Sequence, residues 1–254
     1  MGQDRIPPRY ELKYLVPSQA LEALRADLAA TCALDDHAER APEHRYPVTS
    51  LYFDTPAFDF YLANVDRAPR RLKPRVRAYG EPPFERTFVE VKRRLGDVVV
   101  KTRAVRGAGW PEDIYTPDAS APRALADFAQ ILARSGAAPT LLVRYSREAW
   151  ASFVDDYARV TFDTRLEVQP WAEASLSGHS RQWVPVDDPV SVGEPGSLAV
   201  VELKFAEVAP LWMERLVRRH GLVRRGFSKY CAGVERLWGR YRLEPSARTG
   251  RLLD

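Results

Sequence analysis

The stretch Arg9-Tyr-Glu-Leu-Lys-Tyr-Leu-Val16 decides the fold, because its charged residues at positions 9, 11 and 13 alternate with apolar ones. Side chains at positions i and i+2 of a β-strand point to the same face. Arg9, Glu11 and Lys13 therefore share one side of the segment, and the apolar side chains share the other. The segment predicts a strand with a charged face and an apolar face.

The same two-residue spacing of charges recurs along the chain, at Arg75-x-Arg77, Glu90-x-Lys92, Lys101-x-Arg103, Glu202-x-Lys204, and around Asp163 with Arg159 and Arg165. If such strands close with their charged faces inward, they line a cationic channel that holds a few carboxylates and suits a chain of phosphates. The alternative is an open sheet with its charged face in water, which is the commonest antiparallel arrangement. Like charges two residues apart are unfavourable unless an anion lies among them, and this favours the channel.

Composition indicates one globular domain. The 254 residues are 45% hydrophobic and 11% aromatic, which argues against disorder. The net charge is only +4, because 38 basic residues are offset by 34 acidic ones, so overall charge is weak evidence for a polyanionic ligand. We find no internal repeat and no dividing linker. We expect a domain over residues 1–241 and a polar tail over 242–254.

The expected location is the cytoplasm. Cys32 and Cys231 make neither a disulfide framework nor a zinc spacing, and they fit buried thiols in a reducing compartment. No stretch reaches the apolar length of a membrane span, and the N-terminus carries no hydrophobic signal core. We therefore expect no direct insertion into a membrane.

Periodicity and turn residues predict about eight strands and four or five helices. The strands are expected at 9–16, 46–54, 73–79, 84–93, 98–105, 141–153, 157–163 and 198–205. Helices are expected at 18–31, 56–66, 122–134, 210–220 and 228–239, with a polar loop at 35–44 and a surface loop at 170–195. Gly96-Asp97 predicts a tight hairpin turn.

Read in order, the charged motifs resemble the vacuolar transporter chaperone (VTC) domain, the polyphosphate-polymerase branch of the CYTH-like triphosphate tunnel metalloenzyme superfamily. They are Arg9–Val16, Arg75-x-Arg77-x-Tyr79, Glu90-Val-Lys92, Arg144-Tyr-Ser-Arg147, Arg159–Arg165, Val201–Phe205 and Ser228-Lys-Tyr230. The resemblance covers about residues 5–240. It implies an α+β fold: an eight-stranded antiparallel β-barrel tunnel with a charged interior and helices packed outside.

The resemblance also implies a reaction. The γ-phosphate of ATP would pass to a polyphosphate chain, with Mn²⁺ or Mg²⁺ held by carboxylates. Residues matched to phosphate binding are Lys13, Arg75, Arg77, Lys92, Lys101, Arg147, Arg159, Lys204 and Lys229. All of these except Lys101 and Lys229 are also matched to catalysis. Glu202 is matched to the metal, with Glu11 and Glu90 as possible helpers, whereas Arg103, Arg144 and Arg165 stay unassigned.

The residue types suit this chemistry. Phosphoryl transfer depends on positioning and charge neutralisation, Arg offers a fork that matches phosphate oxygens, and Mg²⁺ and Mn²⁺ prefer carboxylate oxygens. The four His residues have no ligand spacing, so a His-built metal site is not expected.

Two other functions stay open. One is a tripolyphosphate or organic-triphosphate hydrolase with the same tunnel. Related hydrolases open with Glu-x-Glu-x-Lys, and Arg9 replaces the first Glu here, which favours transfer over hydrolysis. The other is a non-catalytic polyphosphate-binding module. We expect no nucleic-acid partner, because no aromatic stacking platform or recognition helix is evident. Export of a product would require a membrane-protein partner.

Overall fold

The computed structural model describes residues 5–6, 10–95, 98–193 and 196–239. Three expectations lie outside these residues: Arg9, the Gly96-Asp97 turn and the 242–254 tail. None of the helices in the described ranges has the length and apolar character needed to cross a membrane.

Eight long antiparallel strands form the body of the molecule, as the sequence predicts. They are β2 (Tyr10–Pro17), β4 (Tyr46–Asp54), β5 (Arg70–Tyr79), β6 (Thr87–Leu95), β7 (Val98–Arg106), β8 (Ala138–Ser152), β9 (Ala158–Pro170) and β11 (Leu198–Phe205). Three short strands add to them: β1 (Arg5–Ile6), β3 (Cys32–Leu34) and β10 (Val184–Pro185). The α-helices are α1 (Leu21–Leu28), α2 (Asp36–Arg40), α3 (Asp59–Val65), α4 (Arg123–Ser135), α5 (Pro189–Val192), α6 (Leu211–Arg219) and α7 (Lys229–Trp238).

The strands form one sheet that curls into a half-barrel. Its order is β1-β7-β6-β5-β4-β8-β9-β11-β2, with β3 and β10 at the side. Within the described residues, no ladder pair joins the two ends of this order. The ends are nevertheless close, because only residues 7–9 lie between β1 and β2 and can span at most about 15 Å. Lys92 Nζ of β6 also lies 2.8 Å from Glu11 Oε2 of β2, so side chains meet across the interior.

Helices cover the outer, apolar face of the sheet at two places. Leu125, Phe128 and Leu132 of α4 are spaced to share one helix face, and they pack on apolar side chains of β4 to β7. On the other half, α1 and α6 pack on the apolar faces of β2, β9 and β11. These contacts bury the apolar positions between the charges and thereby turn the charged positions inward.

Helix α7 closes one end of the interior instead of covering the outside. Leu141 and Val143 of β8 lie an even number of residues from Arg147, so they share its inner face of the sheet. Both pack in a cluster with Tyr230 and Val234 of α7. A Cβ at Gly233 would lie 2.7 Å from Val168 Cγ1, so only glycine allows this close approach. The inner face is therefore largely apolar beneath α7, apart from Asp54, which accepts a hydrogen bond from the Tyr230 hydroxyl, and charged beyond it.

The structure corrects several expected boundaries. The loops expected at 35–44 and 170–195 contain the short elements α2, β10 and α5. The helix expected at 18–31 is a 3₁₀ turn at Ser18–Ala20 followed by α1. The expected strand 157–163 continues to Pro170 through an irregular register near Arg165, whose φ is +54°.

Candidate active site

Ten cationic side chains and four carboxylates project from the inner faces of the strands and from the start of α7. We call this set the tunnel cluster. Its cations are Lys13, Lys73, Arg75, Arg77, Lys92, Lys101, Arg103, Arg147, Lys204 and Lys229, and its carboxylates are Glu11, Glu90, Asp163 and Glu202. The alternation that predicted a charged face thus places these residues together.

Glu202 of β11 is the centre of one group. Its carboxylate lies 3.0 Å from Lys13 Nζ, 2.8 Å from Lys204 Nζ and 3.2 Å from Lys229 Nζ, and its side chain is buried. Burial alone raises the pKa of Glu202, but Lys13, Lys204 and Lys229 outweigh it and hold that pKa well below its usual range. Glu202 is therefore an ionised carboxylate surrounded by cations.

Asp163 of β9 ties the start of α7 to the sheet. Arg147 of β8 donates two hydrogen bonds of 2.7 Å to the Asp163 carboxylate, one from Nε and one from Nη2. Lys229 Nζ lies 2.6 Å from the same carboxylate. A cation at a helix N-terminus is unfavourable by itself. The two carboxylates that Lys229 contacts, Asp163 and Glu202, offset that cost.

Glu90 of β6 is the centre of a second group. Arg75 Nη2 lies 2.7 Å and Arg103 Nη2 2.6 Å from the Glu90 carboxylate, and Lys101 Nζ also contacts it. Burial raises the pKa of Glu90, and Arg75 and Lys101 outweigh that effect and hold it well below the usual range. Glu90 thus fixes the side chains of three cations within the tunnel.

Arg77 of β5 differs from its neighbours because no carboxylate among the described residues contacts it. Its Nε donates to Ser50 Oγ at 3.0 Å, and its side chain is 6% exposed. The nearby Tyr52 hydroxyl accepts a hydrogen bond of 2.9 Å from Arg75 Nη1. Burial raises the pKa of Tyr52, but Arg75 and Arg77 outweigh it and lower that pKa to about 8. Positive charge therefore dominates this part of the tunnel.

The structure brings together eight of the nine matched phosphate-binding residues. Arg159 is the exception: its side chain is exposed on β9, it lies over the Tyr157 ring, and it forms no ion pair within the described part of the chain. Three members of the tunnel cluster had no role predicted from the sequence: Lys73 stood outside the motifs, and Arg103 and Asp163 stood inside them without an assignment. Lys73 lies two residues before Arg75, so the same spacing could have included it.

The carboxylates fit a divalent cation that binds together with phosphate. No group of three or more His, Cys, Asp or Glu side chains suited to a metal occurs within the described ranges. Glu11 and Glu202, however, both lie within 3.2 Å of Lys13 Nζ, so two carboxylates face one point. Mg²⁺ is usually held by one or two carboxylates plus waters and substrate phosphates, and this pair meets that need. Glu90 does not belong to this pair, because it contacts Arg75, Lys101 and Arg103 instead.

Comparison with known proteins agrees with this geometry. The sequence model of the VTC domain matches residues 8–238. The chain belongs to the VTC domain family. It is 28% identical over 233 residues to "Vacuolar transporter chaperone complex subunit 4" from Trypanosoma cruzi (strain CL Brener); the match covers 76% of this chain and 28% of that relative.

A solved structure shares the fold. It is the crystal structure of a Bacillus halodurans protein provisionally described as an adenylate cyclase, which superposes on this VTC domain with a TM-score of 0.53. The superposition covers 89% of this chain and 96% of the Bacillus protein at 10% identity. At that identity the likeness concerns the fold alone, and it confirms the expected α+β tunnel architecture.

Proposed function

We propose that this VTC domain is a polyphosphate polymerase-type phosphotransferase, which moves the γ-phosphate of ATP onto a polyphosphate chain held in the tunnel. One observation carries the proposal: ten cations face only four carboxylates in a partly enclosed interior. Such an excess of buried and half-buried positive charge is costly unless an anion of several charges enters. A phosphate chain supplies that charge in a form that fits between strands.

The roles of the residues follow from their neighbours. Arg75 and Arg77 offer planar donors for phosphate oxygens, while Lys13 and Lys204 act as point charges on the opposite strands. Glu90 contacts Arg75, Lys101 and Arg103, and it thereby holds these three cations in the tunnel. These groups position the transferred phosphoryl and neutralise its charge, which is the main requirement of phosphoryl transfer.

Glu202 and Glu11 are the proposed ligands of Mn²⁺ or Mg²⁺. The bound cation would neutralise charge on the phosphate oxygens. In the structure, Lys13 Nζ forms ion pairs with both carboxylates, and Lys92 Nζ lies 2.8 Å from Glu11 Oε2. We assign the metal to this pair and leave Glu90 to orient cations.

A membrane-protein partner and a cytoplasmic location belong to the same proposal. The Trypanosoma relative is named as a subunit of a complex, and this chain covers only 28% of its length. In this proposal, export of the polyphosphate product requires a membrane-protein partner. ATP is abundant in the cytoplasm, and both cysteines are free thiols, as a reducing compartment requires.

The test is incubation of purified protein with ATP and Mn²⁺, followed by gel separation of polyphosphate and chromatography of nucleotides. Acid-labile polymer with an equivalent yield of ADP supports the proposal. Release of orthophosphate without polymer identifies a hydrolase, and tripolyphosphate binding with no turnover identifies a binding module; either result refutes it. Glu202→Gln is the matched variant: its polymer yield should fall at least a hundredfold, since it loses a metal carboxylate.

A further inference from the structure

All lysines of this chain lie in one place. Only six of the 38 basic residues are lysines, and the rest are arginines. Five of the six each contact a carboxylate of the tunnel cluster: Lys13, Lys92, Lys101, Lys204 and Lys229. The sixth is Lys73, on the same face of β5 as Arg75 and Arg77. Of the two residue types, only arginine thus occurs on the outer surface, and lysine occurs only where we propose that phosphate binds.

Lys73 is the one lysine that has no carboxylate partner among the described residues. Its Nζ donates a hydrogen bond of 2.8 Å to Ser228 Oγ, a neutral acceptor. Burial is the main reason that the pKa of Lys73 is lowered to about 8; Cys231 and Tyr52 raise this pKa, and the nearby ammonium groups of Lys92 and Lys13 lower it. A half-buried ammonium with a neutral partner is poorly compensated, and a phosphate oxygen would supply the missing charge.

Ser228 holds the Lys73 side chain in a defined position. The Ser228 oxygen accepts from Lys73 Nζ at 2.8 Å and from the backbone N–H of Cys231 at 3.3 Å, as the N-cap of α7. A hydroxyl has two acceptor sites and one hydrogen. Because both acceptor sites are used, the hydroxyl hydrogen remains available to a further acceptor. The ammonium of Lys73 and this hydroxyl hydrogen together offer donors to one anion.

We propose that Lys73 is a phosphate-binding residue of the tunnel and that Ser228 orients it and donates to the same phosphate. This inference rests on the proposed function, since it assumes that a phosphate chain enters the tunnel. It joins β5 and the start of α7 in one contact point for that chain, through the hydrogen bond between Lys73 and Ser228. Arg75 and Arg77 then continue the contact along β5.

The first test is protection of lysines from acetylation. The protein is treated briefly with an amine-acetylating reagent with or without tripolyphosphate, and peptides are quantified by mass spectrometry. The Arg218→Lys variant is used, because residue 218 is 84% exposed and supplies a reference amine outside the tunnel. Tripolyphosphate should slow acetylation of Lys73 at least fivefold and leave the reference amine unchanged. An unchanged rate at Lys73, with Lys13 and Lys204 protected, overturns this inference alone. If no lysine is protected, the phosphate tunnel of the proposed function fails as well.

The second test is the affinity for tripolyphosphate without turnover. By calorimetry, Lys73→Met should weaken binding about tenfold to a hundredfold, the range for loss of one hydrogen bond to a charged group. Lys73→Arg should keep most of the affinity, because it retains the charge. Arg165→Met, which removes an exposed cation from β9, is the control and should bind like the parent. Equal affinity of Lys73→Met and the control contradicts the inference, provided that circular dichroism shows both to be folded.

Discussion

Replacing Glu202 by Gln should destabilise the free protein and make its stability depend on anions. The substitution keeps the shape of the side chain but leaves Lys13, Lys204 and Lys229 around a neutral amide. Removing one partner from a buried ion pair costs about 3–5 kcal/mol. In a chain of this size about 1 kcal/mol shifts the Tm by about 2–4 °C. Because the amide still accepts hydrogen bonds, we expect a Tm about 10 °C below that of the parent protein.

The assay is thermal unfolding followed by fluorescence, in buffer without divalent metal. Tripolyphosphate stabilises a folded state that binds it, by about 2.7 kcal/mol at a hundred times its Kd. It should raise the Tm of Glu202→Gln more than that of the parent, because the phosphates meet three cations that have lost their carboxylate. The control is Glu167→Gln, which breaks a partly exposed pair with Arg144 and should change the Tm by about 2 °C or less.

The reasoning is refuted if Glu202→Gln melts within 2 °C of the parent protein. It is refuted equally if tripolyphosphate gives both proteins the same increase in Tm. The first result would mean that Glu202 does not balance the cations. The second would mean that the anion binds elsewhere.

Three further predictions follow from particular contacts. Arg77→Met should weaken tripolyphosphate binding at least tenfold in calorimetry with little loss of Tm, because Arg77 has no carboxylate partner in the described structure; unchanged affinity would contradict this. Absorbance at 295 nm should show a tyrosine titrating near pH 8 that is missing in Tyr52→Phe, and tripolyphosphate should move it upward, since the phosphates offset the arginines that depress this pKa. The folded-state pKa of Tyr52 lies below its usual value of 10, so the contribution of Tyr52 to stability should rise between pH 8 and pH 10 and vanish below pH 8. A difference in stability between the parent and Tyr52→Phe that does not change with pH would count against this. Gly233→Ala should lower both Tm and tripolyphosphate affinity, because the added methyl group displaces α7 from Val168; normal values for both would exclude the close approach.

Alternation along single strands predicted the inner face of the tunnel well. Glu11 with Lys13, and Glu202 with Lys204, face the same interior because the sheet's outer face is apolar at every intervening position. Local spacing determines this face, so it can be read from sequence. The approach of Glu11 to Lys92 depends instead on how the whole sheet curls, and the resemblance to the VTC domain supplied that expectation.

Other features depend on contacts between distant segments. Lys73 and Asp163 acquire their surroundings from Ser228 and Lys229 at the start of α7, more than 60 residues away along the chain. The position of α7 against the inner face rests on the absence of a side chain at Gly233, which no periodicity reveals. The exposure of Arg159 reflects its place at the start of β9, where the same alternation continues beyond the enclosed interior.

The most direct test of the phosphate tunnel is a crystal structure of the protein with tripolyphosphate and Mn²⁺. We predict phosphate density on the inner face of the sheet, between Arg75 and Arg77 on one side and Lys204 on the other, with anomalous density for Mn²⁺ beside Glu202. Phosphate bound only on the outer surface, with the ion pairs of Glu202 and Glu90 unchanged, would contradict the account.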